Sequence, residues 1–504
     1  MNLSPLTVPY RILQRGASVA VAAAVAVASG ASALVGAIGG VAVAVVLVGV
    51  AVLALVGYEL ARYRRYEYEL TADTFDIRSG VFARRNREIP LRRIQNVDIR
   101  RGVVQRLLGI AAVDFETAGG SETEAAIRYV SFEEAKRLQG EIRRLKRGAA
   151  TAGEEAAEES ELLFSLSNGD LLLVGAFAFD LRVPGILLFL FSGVGSVLAP
   201  YLPDSGGLVV LLGGVAAIAV GVALVSWIVG ALAAIVNYYG FRLTRVGDEL
   251  QYERGLFQRY DGSIPLDKVQ TLTVTDDPLK RHFGYATLAV ETAGYTPGQG
   301  QGQGQQSASV IPLASRDRVF ALANDVEAFG TPEFERPPKR VRRRYAVRYG
   351  LALAVLAGAL YGVEAFLAAG IPWYVPLSAA PLVPVAAHAK WKHRGYWLGD
   401  SHVVTRNGVL KRRTKVVPYY RIQTVIDSRT AFQRRWRVAT VTADTAGSLS
   451  VAGHDAAAVD VDAETATRLR ETLSDRLRTA LAARKRATEN GDPSPATADG
   501  GGDG

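Results

Sequence analysis

The residues best able to do chemistry in this sequence are arginines. One cluster comprises Arg84, Arg85, Arg87, Arg92, Arg93, Arg100, Arg101 and Arg106, and another Lys411, Arg412, Arg413, Lys415, Arg421, Arg429, Arg434, Arg435 and Arg437. Between them lies a sparser set, Arg259, Lys268, Lys280 and Arg281. Cations at this density attract anions, and each contributes on the order of 1 kcal/mol beside an anionic membrane surface. Two readings are open. The basic groups form a general surface that docks on lipid, or they shape a pocket for a phosphate-bearing headgroup or an acidic partner peptide. Nucleic acid fits poorly, because no base-stacking aromatics interleave with these arginines.

Catalytic constellations are missing from the sequence. The chain has no cysteine, which excludes disulfides and thiolate metal sites. No phosphate-binding or dinucleotide glycine pattern follows a strand, and no nucleophile elbow or metalloprotease helix motif occurs. His388, His393 and His402 lie near Asp400, but without metal-ligand spacing, and read as a solvated cluster beside the membrane. No metal, cofactor or enzymatic activity is expected. Three charged residues sit in or beside apolar stretches, where charge is costly. Asp180 and Arg182 would mark an intramembrane ion site or simply a boundary, and Glu364 a proton path or the edge of an outer turn.

Long apolar blocks must carry these residues. No charge occurs from Gly16 to Tyr58, about twice the roughly 20 residues one membrane helix needs. The run is too long for a signal peptide and predicts a hairpin turning near Gly39-Gly40. Val183–Tyr201 with Gly207–Val236 predict a second hairpin, split by Pro203-Asp204-Ser205-Gly206. Tyr349–Gly370 with Trp373–His388 predict a third, although it contains Pro376, Pro381 and Pro384. Lys and Arg flank the other ends of these segments: Arg62, Arg64 and Arg65; Arg242 and Arg245; Lys339, Arg340, Arg342, Arg343 and Arg344; Lys390, Lys392 and Arg394. Because positive flanks stay inside, the turns are expected outside, with the termini and soluble segments in the cytoplasm.

The soluble segments are copies of one another. Gly80, Pro90, Gln95 and Thr117-Ala118-Gly119 recur as Gly255, Pro265, Gln270 and Thr292-Ala293-Gly294, then as Gly408, Pro418, Gln423 and Thr445-Ala446-Gly447. The gaps are the same in all three, and Arg106, Arg281 and Arg434 fall in register. Val113 and Phe115 alternate with Asp114 and Glu116, as a half-buried strand does. The repeated Gly suits a turn with positive φ, and the repeated Pro a strand end. The repeated Gln suits a backbone group inside the fold. Ser131 and Glu134 form a capping box for a helix with Phe132, Ala135, Leu138 and Ile142 on one face. A small barrel or curved sheet closed by a helix follows.

The segments "YELTADTFDIRSGVFARRNREIPLRRIQNVDI", "RGLFQRYDGSIPLDKVQTLTV" and "RNGVLKRRTKVVPYYRIQTVI" share a Gly-hydrophobe turn, a Pro and a basic-hydrophobic-Gln triplet: Arg93-Ile94-Gln95, Lys268-Val269-Gln270 and Arg421-Ile422-Gln423. In these the chain resembles the bacterial and archaeal membrane-flanked PH-like domain proteins of the YdbS/YdbT type, in their long form with three such domains. The resemblance implies an α+β multi-domain membrane protein. It would have six transmembrane helices in three hairpins and three PH-like β-barrels, each closed by a C-terminal helix. It implies no established activity. Arg437 departs from Gly109 and Gly284, so a lost binding role would fall on the third copy.

The expected organisation is a tail (1–16), hairpin (17–60), PH-like domain (61–150), acidic linker (151–161) and interfacial helix (162–182). A second hairpin (183–236) and domain (237–330) follow, then a basic linker (331–348), third hairpin (349–389), third domain (390–486) and disordered tail (487–504). The run from Gly298 to Gln306 reads as a flexible insertion. The expected function is a non-catalytic scaffold of the cytoplasmic membrane. Its partners would be anionic lipid, a shorter membrane-flanked PH-like protein, or a second copy of the chain. The alternative is a component of a transport or envelope-stress export system. Candidate binding residues are Arg84, Arg85, Arg87, Arg92, Arg93, Arg106, Lys268, Lys280, Arg281, Lys411, Arg412, Arg413, Arg421 and Arg434.

Overall fold

The computed structural model describes residues 3–15, 39–117, 125–147, 160–178, 208–292, 309–367, 373–446 and 456–489. The chain divides into two units, Met1–Leu166 with Val236–Pro265, and Ser167–Ile235 with Leu266–Gly504. Each copy runs through three antiparallel strands, a 3-10 turn, three more strands and a closing helix. In the first unit these are β1 (Glu67–Leu70), β2 (Thr74–Ser79), β3 (Arg85–Pro90), β4 (Ile94–Gly102), β5 (Ile110–Thr117), β6 (Ala125–Ser131) and the helix Phe132–Arg147. The same unit holds β7 (Ser160–Ser165), β8 (Arg242–Val246), β9 (Glu249–Arg254) and β10 (Gln258–Pro265). The second unit holds β11 (Val269–Asp276), β12 (Tyr285–Thr292), β13 (Ser309–Ser315) and the helix Arg316–Val326. It continues with β14 (Gly395–Leu398), β15 (His402–Asn407), β16 (Arg412–Pro418), β17 (Ile422–Ser428), β18 (Val438–Thr445), β19 (Ala456–Asp462) and the helix Ala463–Glu489.

The sheets do not close into barrels, which corrects the expectation from sequence. The first unit has a sheet β1-β2-β3 and a seven-stranded sheet β6-β5-β4-β10-β9-β8-β7. The second has a six-stranded sheet β13-β12-β11-β16-β15-β14 and a sheet β17-β18-β19. The reason is visible at the edges. In the first copy, Pro90 ends β3 and the turn Leu91–Arg93 redirects the chain, so β4 does not pair with β3. The outer edge of β4 instead pairs with β10, and that of β11 with β16. Each of these sheets is therefore built from halves of two consecutive copies.

The first copy packs its two sheets around one core. Tyr68, Phe75 and Ile89 from the first sheet meet Ile94, Val97, Ile99, Val113, Phe115 and Ile127 from the second. Ala135, Leu138 and Ile142 of the closing helix complete it. The Ser131 hydroxyl caps that helix by accepting from the Glu134 amide at 3.2 Å, while the Glu134 carboxylate turns to Arg137 and Tyr68.

The repeated markers have local causes. Gly80, Gly255 and Gly408 have φ of 116°, 105° and 102°. A Cβ at Gly255 would lie 1.9 Å from the Gln258 carbonyl oxygen, so the turn admits only glycine. Gln95, Gln270 and Gln423 each occupy a β-bulge, between Ile94 and Asn96, Val269 and Thr271, and Ile422 and Thr424.

The six crossings in three hairpins are also corrected. Among the described residues two helical stretches are long and apolar enough to cross a membrane, Gly221–Tyr238 and Arg340–Phe366. The second arm of the third hairpin fails because prolines interrupt it. Val375–Ala379 is a 3-10 turn and Leu382–Lys392 an 11-residue helix, about 16 Å long at 1.5 Å per residue. Residues 16–38, 183–207 and 368–372, including parts of all three expected hairpins, lie outside the described residues, as do Asp180, Arg182 and the run 298–306. Where an interfacial helix over 162–182 was expected, Ser160–Ser165 forms β7 on β8, and the helix is Asn168–Ala176. Asp170 there caps the helix with Ser167.

Gly255→Ala is expected to destabilise the chain by about 2 kcal/mol, whereas Gly140→Ala, on an open helical surface, should stabilise it by about 1 kcal/mol. Thermal unfolding of the full chain in detergent distinguishes the two.

Candidate functional site

Many of the basic residues are used between copies. In the second unit Asp276 is buried, and Arg412 grips its carboxylate with Nε at 3.0 Å and Nη2 at 2.5 Å. Arg281 adds Nη1 to the same carboxylate at 3.1 Å and donates from Nη2 to the Val409 carbonyl at 2.5 Å. Lys415 meets Glu291 at 3.0 Å, and Arg421 donates to the Asp267 carbonyl. In the first unit Arg106 donates to the Leu256 carbonyl at 2.6 Å, the counterpart of the Arg281–Val409 bond. A buried charge left without its partner is strongly unfavourable, so the buried Asp276, Arg412, Lys415 and Glu291 fix how the second and third copies join.

The other predicted residues are spread out. Arg85 and Arg87 lie exposed on β3, with Arg84 just before it, and Arg92 and Arg93 are exposed on the following turn. Lys268 pairs with its neighbour Asp267, and Lys280 with Asp277. Lys411 is exposed, and Arg413 is half-buried on β16.

A second gathering of charge surrounds Asp460, and the sequence reading did not single it out. Asp460 is buried with a φ of 61°. Arg344 and Tyr345, from the helix Arg340–Leu367, both donate to its carboxylate. Arg394 adds a bond of 2.7 Å, and Gln433 one of 3.0 Å. Burial alone would raise this carboxyl. The bonds from Tyr345 and Gln433 and the charges of Arg394 and Arg344 outweigh it and hold the group below the usual carboxylate range. Val341, Tyr345, Ala387 and Val438 pack together beside it. The third copy is thereby fastened to the foot of a membrane-length helix. Nothing local in the strand Ala456–Asp462, which carries Asp462 as well as Asp460, reveals this role, since its partners come from distant segments.

Next to this latch is a cavity of about 440 Å³ lined by Arg340, Arg429, Arg434, Arg437, Val438, Asp462, Ala463 and Glu464. Arg340 spans it, donating to the carbonyls of Trp436 at 3.0 Å and Arg437 at 2.8 Å and pairing with Asp462. Arg429 pairs with Asp427 at 2.7 Å. Arg434 and Arg437 line it without an ion pair among the described residues. Arg437 has a φ of 51° where the other copies have Gly109 and Gly284 at 64° and 75°. A non-glycine residue there is strained by about 1 kcal/mol or more. Its cation is thus retained at a position that favours glycine.

A bacterial PH domain model matches residues 20–146, 186–329 and 350–477. The chain belongs to the bacterial PH domain family. It carries that domain three times, each match including the apolar stretch ahead of the copy. It is similar to the UPF0699 transmembrane protein YdbT of Bacillus subtilis (strain 168), 24% identical over 415 residues, covering 79% of this chain and 83% of that protein. It is also similar to the UPF0699 transmembrane protein YdbS of the same organism, 34% identical over 86 residues, or 17% of this chain and 52% of that protein. No solved structure matches the chain significantly. The family and these relatives point to a membrane-associated, non-catalytic protein.

Asp460→Asn should keep the left-handed backbone but leave Arg344 and Arg394 without a counter-charge, destabilising the third copy by about 3 kcal/mol. His393 supplies a pH test. Burial and the charges of Arg281, Arg412, Arg406 and Lys392 push it down to about 4 from an ordinary 6.5. Between these values the unfolded chain binds a proton that the folded chain refuses. Stability should therefore be complete above pH 6.5 and fall as pH drops towards 4, and His393→Gln should flatten that fall in a thermal-unfolding series.

Proposed function

We propose that the chain is an integral scaffold of the cytoplasmic membrane, with its PH-like copies facing the cytoplasm and engaging anionic lipid headgroups and protein partners without catalysis. The observation that carries this reading is the arginine-lined cavity at the start of Arg340–Phe366, where Arg437 keeps a cation on a strained backbone and has no ion pair among the described residues. A membrane-length helix beginning beside a cationic cavity supports reading that cavity as one at headgroup depth. A phosphate oxygen accepts charge-assisted hydrogen bonds from guanidinium groups in such a site. The basic flanks, of which Arg340, Arg342, Arg343 and Arg344 are the densest, support the cytoplasmic orientation.

The test is native mass spectrometry of the full chain in detergent, titrated with phosphatidylglycerol or phosphatidylcholine. Arg437→Gly should weaken binding of the anionic lipid by about 1 kcal/mol, roughly fivefold, while raising thermal stability by removing the strained backbone. Arg437→Lys should retain most of the binding. Equal affinity for both lipids, or no change on Arg437→Gly, would contradict the reading.

A further inference from the structure

The two junctions between copies follow one rule. In the first, Arg101 stands opposite Arg259, Arg100 opposite Tyr260 and Ile99 opposite Asp261. In the second, Asp276 stands opposite Arg412, Thr275 opposite Arg413 and Val274 opposite Thr414. Counted within the repeat these are the same positions in the same register. The fourth strand of one copy always takes the third strand of the next. The repeat arginine then reaches the turn carbonyl of that next copy, as Arg106 does at Leu256 and Arg281 at Val409.

This rule leaves one half-junction at each end of the series. β3, the third strand of the first copy, and β17, the fourth strand of the last, each pair on one side only among the described residues. Their side chains show the difference. Thr273 and Lys415 face each other across the second junction and are both buried. Their counterparts are Ile426, 45% exposed on β17, and Arg87, exposed on β3. An open strand edge is a template for pairing, and these two edges are the two unlike halves of a junction this chain already makes twice.

We propose that β17 of one chain pairs antiparallel with β3 of a second copy of the chain, in the register of the internal junctions. Ile426 then stands opposite Arg87, Asp427 opposite Asn86, Ser428 opposite Arg85 and Val425 opposite Glu88. Asp427 enters a strand otherwise rich in arginine. Arg434 takes the part of Arg106 and Arg281 and reaches the Val81 carbonyl of the second copy. Arg65 already donates to that carbonyl at 2.6 Å, and a carbonyl oxygen accepts two such bonds. The interface is head-to-tail, so association continues into a closed ring or an open filament.

The absence of cysteine makes the test direct. Full chains carrying Arg87→Cys with one affinity tag, and Ile426→Cys with another, are reconstituted together in vesicles and oxidised. A disulfide-linked pair bearing both tags is expected. Arg87→Cys with Asp427→Cys should give at least tenfold less, because a one-residue offset turns the thiols to opposite faces. Glu88→Cys with Val425→Cys provides a second matched pair should either first variant melt early. Two results would overturn the proposal: no mixed-tag product from either matched pair, or equal product from the offset pair.

Discussion

A strand at the edge of an antiparallel sheet presents a row of backbone N–H and C=O groups that need partners. In each copy of this repeat the fourth strand turns away from the third at a proline and a 3-10 turn, which keeps the sheet open. The architecture depends on how that edge is filled. β4 accepts β10 and β11 accepts β16, so consecutive copies share sheets instead of hanging on linkers. Glycines at positive φ make the hairpins that present the third strands, and the bulges at Gln95, Gln270 and Gln423 bend the fourth strands as they leave the 3-10 turn.

Charge follows from that arrangement. Arginines that read as a lipid-binding surface or as membrane-flanking charge in the linear sequence are divided among three tasks. Arg281 and Arg412 converge on buried Asp276, and Arg106 holds a neighbouring turn. Arg344 and Arg394 converge on Asp460 and tie the third copy to the foot of a membrane-length helix. A minority, Arg434 and Arg437 foremost, line an open cavity. The strained backbone at Arg437 separates that cavity from the corresponding glycine turns of the other copies.

Much of this was legible in the sequence. The threefold repeat, its mostly β character, its closing helix and the glycine turns follow from spacing and alternation that a single copy encodes locally. Pro376, Pro381 and Pro384 were visible too, but a composition count passes over what they do to an 11-residue helix. The closed barrel was expected because nothing within one copy says where the edge of β4 goes, and that edge is satisfied by residues about 160 positions later. Asp460 was overlooked for the same reason, since its importance rests on Arg344, Tyr345 and Arg394, which adjoin it only in the fold. The basic clusters were seen as clusters, but their division between joining and exposure depends on the register between strands.

The sharing of sheets between copies is tested most directly by residue-resolved hydrogen exchange across β16 of the intact protein. The account predicts slow exchange for every amide from Arg413 to Val416, those facing β15 and those facing β11 alike, because the strand is paired on both sides there. Fast exchange at alternate residues would show β16 to be an edge strand and would contradict the joining of the second and third copies.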